Sequence, residues 1–108
     1  MEGKKWVTVY LVRQYFRTTE KHPLGAGLEA FYYCGKRGHV VGRRGSYVRK
    51  DDWYPERDPL PYELIEYGYK RCGDAKRAAT AEKAWYEAHP SDGFTGHMFT
   101  VVAEGYWE

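Results

Sequence analysis

A chain of 108 residues, of which 43% are hydrophobic and 18% aromatic, is long enough for one domain and too short for two. This apolar content excludes an intrinsically disordered chain and predicts a single α+β domain over residues 1–108. The formal net charge is only +2, so the overall charge does not by itself indicate a nucleic-acid-binding protein.

The N-terminal segment has no feature of a secretory signal or of a membrane span. Its apolar stretch, Trp6 to Val12, is interrupted by Thr8 and ended by Arg13. This stretch is too short to cross a bilayer, and no small-residue cleavage site follows it. We therefore expect a cytoplasmic protein in which Cys34 and Cys72 are free thiols, since disulfides are rare in reducing compartments.

The first three predicted elements are strands. Trp6 to Phe16 is rich in β-branched and aromatic residues, and both of its faces are apolar at the start, which is typical of a strand inside a sheet. After a loop at Thr18 to Gly27, a second strand is predicted from Leu28 to Cys34, and the sequence from Gly35 to Gly38 favours a hairpin turn. A third, weaker strand is predicted from His39 to Val48, with bends at its glycines.

A proline-rich connection comes next. Pro55, Pro59 and Pro61 lack the N–H group that a sheet ladder needs, so Asp51 to Pro61 is predicted to be a loop. The alternation of apolar and polar residues from Tyr62 to Cys72 then predicts a fourth strand.

The clearest element is a helix from Asp74 to His89. Its first residue is a favourable N-cap, and Pro90 follows its end. Alanines at helical spacing form a stripe that lets the helix lie close to a sheet, with Trp85 as its one large anchor. A last strand is predicted from His97 to Ala103.

The predicted fold class is therefore α+β: a mainly antiparallel sheet of four to five strands with one helix in the C-terminal half, in the order β-β-β-β-α-β. One helix covers only one face of such a sheet, yet bulky side chains lie on both faces. The Asp51–Pro61 loop, a second copy of the chain in a homodimer, or a ligand must cover the other face. Trp6 and Tyr10 are the candidate residues for a protein interface on that face.

A basic segment between Ala30 and Lys50 is the strongest functional signal, with six basic residues and no acidic one. Arginine offers paired hydrogen bonds to phosphate oxygens, tyrosine and tryptophan stack on bases, and glycines allow close approach of the backbone. The predicted ligand-binding residues are Lys36, Arg37, Arg43, Arg44, Tyr47, Arg49, Lys50 and Trp53. Ordinary hairpin turns, or recognition of an acidic protein surface, are the alternative interpretations of the same segment.

No catalytic residue, metal ligand or cofactor site is predicted. The histidines at 22, 39, 89 and 97 lack the paired spacing of a structural zinc site. Cys34 or Cys72 would need a nearby base to act as a nucleophile, and buried strand cysteines are usually inert. The acidic pairs Asp51-Asp52 and Glu56 with Asp58 lie near Arg57, so ion pairs are the simpler interpretation.

The preferred hypothesis is a small, non-enzymatic binding protein whose basic, Tyr/Arg-rich surface engages a phosphate-bearing ligand, a nucleic acid or a nucleotide. The first alternative is a small inhibitor, of the kind phages and mobile elements carry, that binds a host protein such as a nuclease or a defence complex. Its interface would be the uncovered aromatic sheet face, helped by the acidic stretch from Trp85 to Glu108, which has no Lys or Arg. A small enzyme is the weaker alternative.

Overall fold

Four antiparallel strands form the sheet of this protein, in the order β3-β2-β1-β4. The structure is a computed structural model that describes residues 3–45 and 56–108. The strands are β1 (Trp6–Thr18), β2 (Glu29–Cys34), β3 (Val40–Gly45) and β4 (Phe94–Trp107). Two helices, α1 (Pro61–Tyr67) and α2 (Cys72–Ala88), precede β4 in the chain, and a 3₁₀ turn at Lys36–Gly38 joins β2 to β3. The predicted α+β class, with an antiparallel sheet and a helix in the C-terminal half, is confirmed.

Strand β1 lies inside the sheet, as its two apolar faces predicted. It pairs along most of its length with β4 and, from Val12 onward, with β2. Successive side chains of a strand point to opposite faces, so Val9 and Leu11 lie on one face and Val12 and Gln14 on the other. We call these the α1 face and the α2 face, after the helix that packs against each.

The predicted fourth strand, Tyr62 to Cys72, is wrong, because α1 occupies its first half. Pro61 stands in the first turn, where its fixed φ suits a helix. The carboxylate of Glu63 reaches back to accept a hydrogen bond from the Leu60 N–H group at 3.1 Å, which satisfies one of the free donors of the first turn. Only Tyr69 keeps a strand-like contact, an isolated antiparallel bridge to Tyr10.

Helix α1 covers part of the α1 face. Leu64 packs with Val9, Leu11 and Val41 in the buried core. Burial of such side chains stabilises the fold by about 1.5–3 kcal/mol each. Helix α1, which the sequence did not predict, therefore covers part of the sheet face for which a loop, a second copy of the chain or a ligand was expected.

The predicted C-terminal helix is confirmed, and it begins two residues earlier than expected, at Cys72. Asp74 lies in its first turn, and Arg71 is the N-cap residue. Ala75 is buried against the sheet, as predicted, but the rest of the predicted alanine stripe is not: Ala78 is half-buried, Ala81 and Ala88 are exposed, and Ala79 is buried instead. The predicted anchor is wrong: Trp85 is 55% exposed, because the helical repeat that buries Ala75 and Ala79 continues instead to Tyr86.

Parts of two predictions lie outside the described residues. The third strand is seen as Val40–Gly45, and the predicted continuation to Val48 falls in 46–55. The first half of the predicted Asp51–Pro61 loop, residues 51–55, also lies outside the described residues. The second half of the loop pairs with the edge of the sheet. The Arg43 N–H group donates to the Arg57 carbonyl oxygen, and the Arg57 N–H group donates to the Arg43 carbonyl oxygen, at 2.9 Å each. Within the described ranges, neither helix has the length and apolar character needed to cross a membrane.

Candidate functional site

The four predicted basic residues that the structure describes do not lie together. Arg43 is only 2% exposed and lies on the α2 face, where its guanidinium carbon is 5.8 Å from the centre of the Tyr32 ring. Arg44 follows it in β3 and therefore points to the opposite face. Its exposed guanidinium donates two hydrogen bonds, of 2.9 and 2.7 Å, to the Asp58 carboxylate. These bonds lower the pKa of Asp58.

The other predicted ligand-binding residues fall in two places. Lys36 and Arg37 belong to the 3₁₀ turn at the opposite end of the β2–β3 hairpin, where Arg37 is exposed and has a positive φ of 62°. The remaining four predicted residues, Tyr47, Arg49, Lys50 and Trp53, lie outside the described part of the chain.

A different cationic and aromatic group lies on the α1 face, on the half that is distant from α1. The Arg13 guanidinium carbon is 5.0 Å from the centre of the Phe31 ring, a cation–π contact. The Tyr15 ring also contacts Phe31, with 5.1 Å between the ring centres and an angle of 47° between the ring planes. All three side chains are half-buried. We call Arg13, Tyr15 and Phe31 the aromatic platform.

The strand register and one glycine position the platform. Tyr15 is directly opposite Phe31 in the β1–β2 ladder, and Arg13 is two residues earlier on the same face. On the other side, β4 makes a bulge between the partners of Tyr15 and Arg17, and Gly96 lies there with a φ of +68°. A Cβ atom at Gly96 would lie 3.3 Å from Cε1 of Tyr15, so glycine leaves room for the ring.

Two further arginines lie beside the platform, each with a carboxylate partner. Arg44 is opposite Phe31 in the β2–β3 ladder and bonds Asp58, as described above. Arg17 lies 3.9 Å from the Glu29 carboxylate, and both side chains are about half exposed. Glu29 also accepts a hydrogen bond of 2.7 Å from the Tyr15 hydroxyl, which raises the pKa of Tyr15.

Arg13 differs from these two arginines. Within residues 3–45 and 56–108, no carboxylate pairs with its guanidinium. Of these three arginines, Arg13 is therefore the one whose guanidinium has no described carboxylate to compete with an anionic ligand. Sequence reasoning missed the platform because it weighted the glycine-rich basic segment. The signal was present in the spacing of Arg13, Tyr15 and Arg17, which alternation places on one face of a strand.

The predicted protein-interface residues differ in exposure. Trp6 is 51% exposed, and its ring packs edge-on against that of Trp107, 64% exposed, at a centre distance of 5.1 Å. Tyr10 is half-buried, and its backbone bonds that of Tyr69 at 2.8 and 2.9 Å. The exposed aromatic pair at this end of the sheet is therefore Trp6 with Trp107.

The thiol and metal chemistry of the described residues is limited. Cys34 and Cys72 are free, and burial raises the pKa of the Cys34 thiol to about 12. That thiol is protonated at neutral pH, so it is a poor nucleophile. Among the residues that the structure describes, no group of three or more His, Cys, Asp or Glu side chains has the arrangement of a metal site.

Comparison with known proteins adds no relative from which a function can be inferred. No protein-family model, no curated protein and no solved structure matches the chain.

Proposed function

We propose that this protein is a non-enzymatic binding protein that engages a phosphate-bearing ligand, a single-stranded nucleic acid or a nucleotide, across the half of its α1 face that α1 does not cover. The observation that supports the proposal best is the aromatic platform, in which Arg13 lies over Phe31 beside Tyr15. Proteins that bind single strands combine aromatic side chains, on which bases stack, with cations that contact the backbone.

The bases would stack on Phe31 and Tyr15. Stacking of one base on an aromatic side chain is worth about 1–3 kcal/mol and depends little on base identity. The part of the α1 face that α1 leaves uncovered presents these two rings side by side, with 5.1 Å between their centres. The two ring planes are tilted by 47°, so a base stacked on Tyr15 and a base stacked on Phe31 would not be parallel to each other.

The phosphates would meet Arg13, Arg17 and Arg44. Arg13 has no carboxylate partner among the described residues, so none of their carboxylates competes with a phosphate for its guanidinium. The ion pairs of Arg17 and Arg44 are exposed, and exposed pairs contribute only about 0–1 kcal/mol. A phosphate group can therefore replace Glu29 or Asp58 as the partner at small cost, with charge-assisted hydrogen bonds of its own.

The proposed binding surface shares part of the basic surface predicted from the sequence, but it is centred on the aromatic platform. Arg44 belongs to both surfaces. The turn with half-buried Lys36 and exposed Arg37 offers further contacts to a longer nucleic-acid strand. Arg43 has no part in it, because its side chain is buried. A cytoplasmic location belongs to the same proposal and is supported by the two free thiols.

A titration with labelled oligonucleotides tests this function. Single-stranded RNA, single-stranded DNA and a panel of nucleotides are titrated with the protein at two salt concentrations. Each phosphate contact should contribute about −0.7 to the slope of log K against log salt for single strands. Absence of binding to every one of these ligands at low salt would contradict the proposal.

A protein-binding role, as an inhibitor of a host nuclease or defence complex, is the second candidate. The exposed Trp6–Trp107 pair favours it, because tryptophan is enriched at the centres of protein interfaces. Aromatic contacts depend little on salt concentration. If the protein has this role, the wild type should bind its partner protein at both low and high salt, and the double variant Trp6→Ala, Trp107→Ala should bind it at neither. Retention of the captured partner by that variant would exclude the pair as the interface.

A further inference from the structure

A groove lies between the second half of α2 and the α2 face of the sheet, on the opposite side from the aromatic platform. Its volume is about 490 Å³, within the range of roughly 300–1,000 Å³ that is usual for small-molecule sites. Most of its lining is aromatic, with Phe16, Tyr32 and Phe94 on the sheet side and Trp85 and Tyr86 on the helix. We call it the α2 groove.

The groove follows from the sequence of α2. Ala75 and Ala79 bring the first half of the helix against the sheet. From Glu82 onward the inward residues are large, and Gln14 of β1 donates a hydrogen bond to the Glu82 carboxylate across the gap. Tyr86, one turn further, stands half-buried beside Phe99, with the ring centres 5.5 Å apart. The second half of the helix is thus held away from the sheet by side chains.

The aromatic rings of the groove are arranged in stacks. On the helix, the rings of Trp85 and His89 stack at 4.2 Å with an angle of 18°. Across the gap, Tyr86 stacks with His97 of β4 at 5.4 Å and 25°. Phe16 meets the His97 ring edge-on at 4.8 Å. Both offset-stacked and edge-on geometries are favourable for aromatic rings, so a planar ring entering the groove finds aromatic neighbours.

The polar groups of the groove carry no fixed charge. None of the described residues that line it is Lys, Arg, Asp or Glu, and its hydrogen-bonding side chains include Gln14, His89 and His97. Burial lowers the pKa of His97, although an interaction with the Phe94 backbone opposes this shift. At neutral pH the His97 ring is therefore uncharged, with one nitrogen as donor and the other as acceptor. The Gln14 amide and the uncharged His97 ring, set among stacked rings, match an uncharged ring that has donors and acceptors of its own.

We propose that the α2 groove binds an uncharged planar heteroaromatic ring of nucleobase size. This site is independent of the phosphate-binding surface, because it lies on the other face of the sheet and has no cation in its described lining. A saturated or purely apolar molecule would leave the polar groups of the groove without partners. Among the described residues that line the groove, a charged ring would meet no side chain of opposite charge.

Adenosine is a suitable probe, since it has the required ring and no phosphate. It is titrated into the full chain by calorimetry and by NMR, with ribose as the matched control that lacks the ring. We expect saturable binding of adenosine, contacts from its ring protons to those of Phe16 and Tyr86, and no binding of ribose. Equal responses to adenosine and ribose, or no saturation by adenosine at millimolar concentration, would overturn the proposal.

Two exposed tryptophans provide a matched pair of variants. Trp85→Ala removes a ring that lines the groove, whereas Trp6→Ala removes an equally exposed ring at the far end of β1. Trp85→Ala should weaken adenosine binding about 5- to 100-fold, the loss of one stack, and Trp6→Ala should leave it unchanged. If Trp85→Ala does not fold, His89→Ala removes the stacking partner of Trp85 and should weaken binding in the same direction. Equal effects of the groove and control variants would contradict the site.

This experiment separates the two proposals. Adenosine binding should not depend on salt and should survive Arg13→Glu, because no phosphate is involved. Loss of oligonucleotide binding together with intact adenosine binding would refute only the platform. The reverse outcome would refute only the groove.

Discussion

Arg57 and Glu63 form a two-point ion pair, with Nη1–Oε1 and Nη2–Oε2 distances of 2.5 and 2.9 Å. The same guanidinium donates to the Val41 carbonyl oxygen at 3.1 Å, so it links the edge of the sheet to α1. The pair holds a short helix over Val9 and Leu11. Because α1 ends at Tyr67, the half of the α1 face that bears the platform is not covered by it.

Breaking this pair should destabilise the fold. Glu63 is buried and Arg57 is about one-third exposed, so we expect Glu63→Ala to cost about 1.5–3 kcal/mol of unfolding free energy, the range for hydrogen bonds to charged groups. Urea denaturation at pH 7 measures this loss. Glu66→Ala, an exposed residue of the same helix, is the control and should change stability little. Equal stability of the two variants would contradict the role of the pair.

The pair also predicts a dependence of stability on acid. The hydrogen bonds from Arg57 lower the pKa of Glu63 below its ordinary value of 4.5. Because the pKa is lowered in the folded state, the unfolded chain binds the proton more readily than the folded chain does. The contribution of the pair to the free energy of unfolding is therefore complete above pH 4.5 and decreases as the pH falls through the folded-state pKa. Denaturation curves between pH 7 and pH 2 should show this decrease in the wild type and a smaller one in Glu63→Gln.

The two thiols should be free but unequal in reactivity. Burial raises the pKa of Cys34 to about 12, so the native protein should react with iodoacetamide at Cys34 only on unfolding, since the thiolate is the reactive form. Intact mass without reductant should show both cysteines alkylated once the chain is denatured. Failure of both to react after denaturation would show that they are oxidised.

Gly96 should be required for the shape of the platform. With its φ of +68° and its place beside Tyr15, an Ala there would be strained and would press on the ring. We expect Gly96→Ala to cost about 1–2 kcal/mol of stability and to shift the NMR signals of Tyr15 and Phe31. Gly73→Ala is the control, because Gly73 lies in α2 with an ordinary φ and open surroundings, and it should stabilise the helix by about 0.5–1 kcal/mol. A Gly96→Ala variant with the stability of the wild type would contradict the crowding between position 96 and Tyr15.

The strands and the longer helix were predictable because their signals extend over many residues. The start of β1, from Trp6 to Val12, is apolar on both faces apart from Thr8, and the helix signals of α2 extend from Asp74 to Pro90. The helix α1 was missed because its signals, Pro61 and the reach of Glu63 back to Leu60, are short and lie within a sequence that alternates like a strand. The pairing of Arg57 with Glu63 is a tertiary contact that no local pattern contains.

The candidate site was less predictable than the fold. Arg43 and Arg44 look like one basic cluster in the sequence, yet adjacent strand residues point to opposite faces. One is consequently buried, and the other is exposed beside Asp58. The Arg13–Phe31 contact depends on the register of β1 with β2, which a single sequence does not specify.

The most direct test of the phosphate-binding account compares Arg13→Glu with Phe31→Leu in titrations of a labelled single-stranded oligonucleotide at two salt concentrations. Arg13→Glu should weaken binding by at least about 1.5–3 kcal/mol and make the salt slope less negative by about 0.7, since one phosphate contact is lost. Phe31→Leu should cost about 1–3 kcal/mol with little change of slope, because it removes stacking and keeps the charges. Arg71→Glu, the same charge reversal at the start of α2, should affect binding much less. Equal effects of Arg13→Glu and Arg71→Glu, or no binding by the wild type at low salt, would contradict the account.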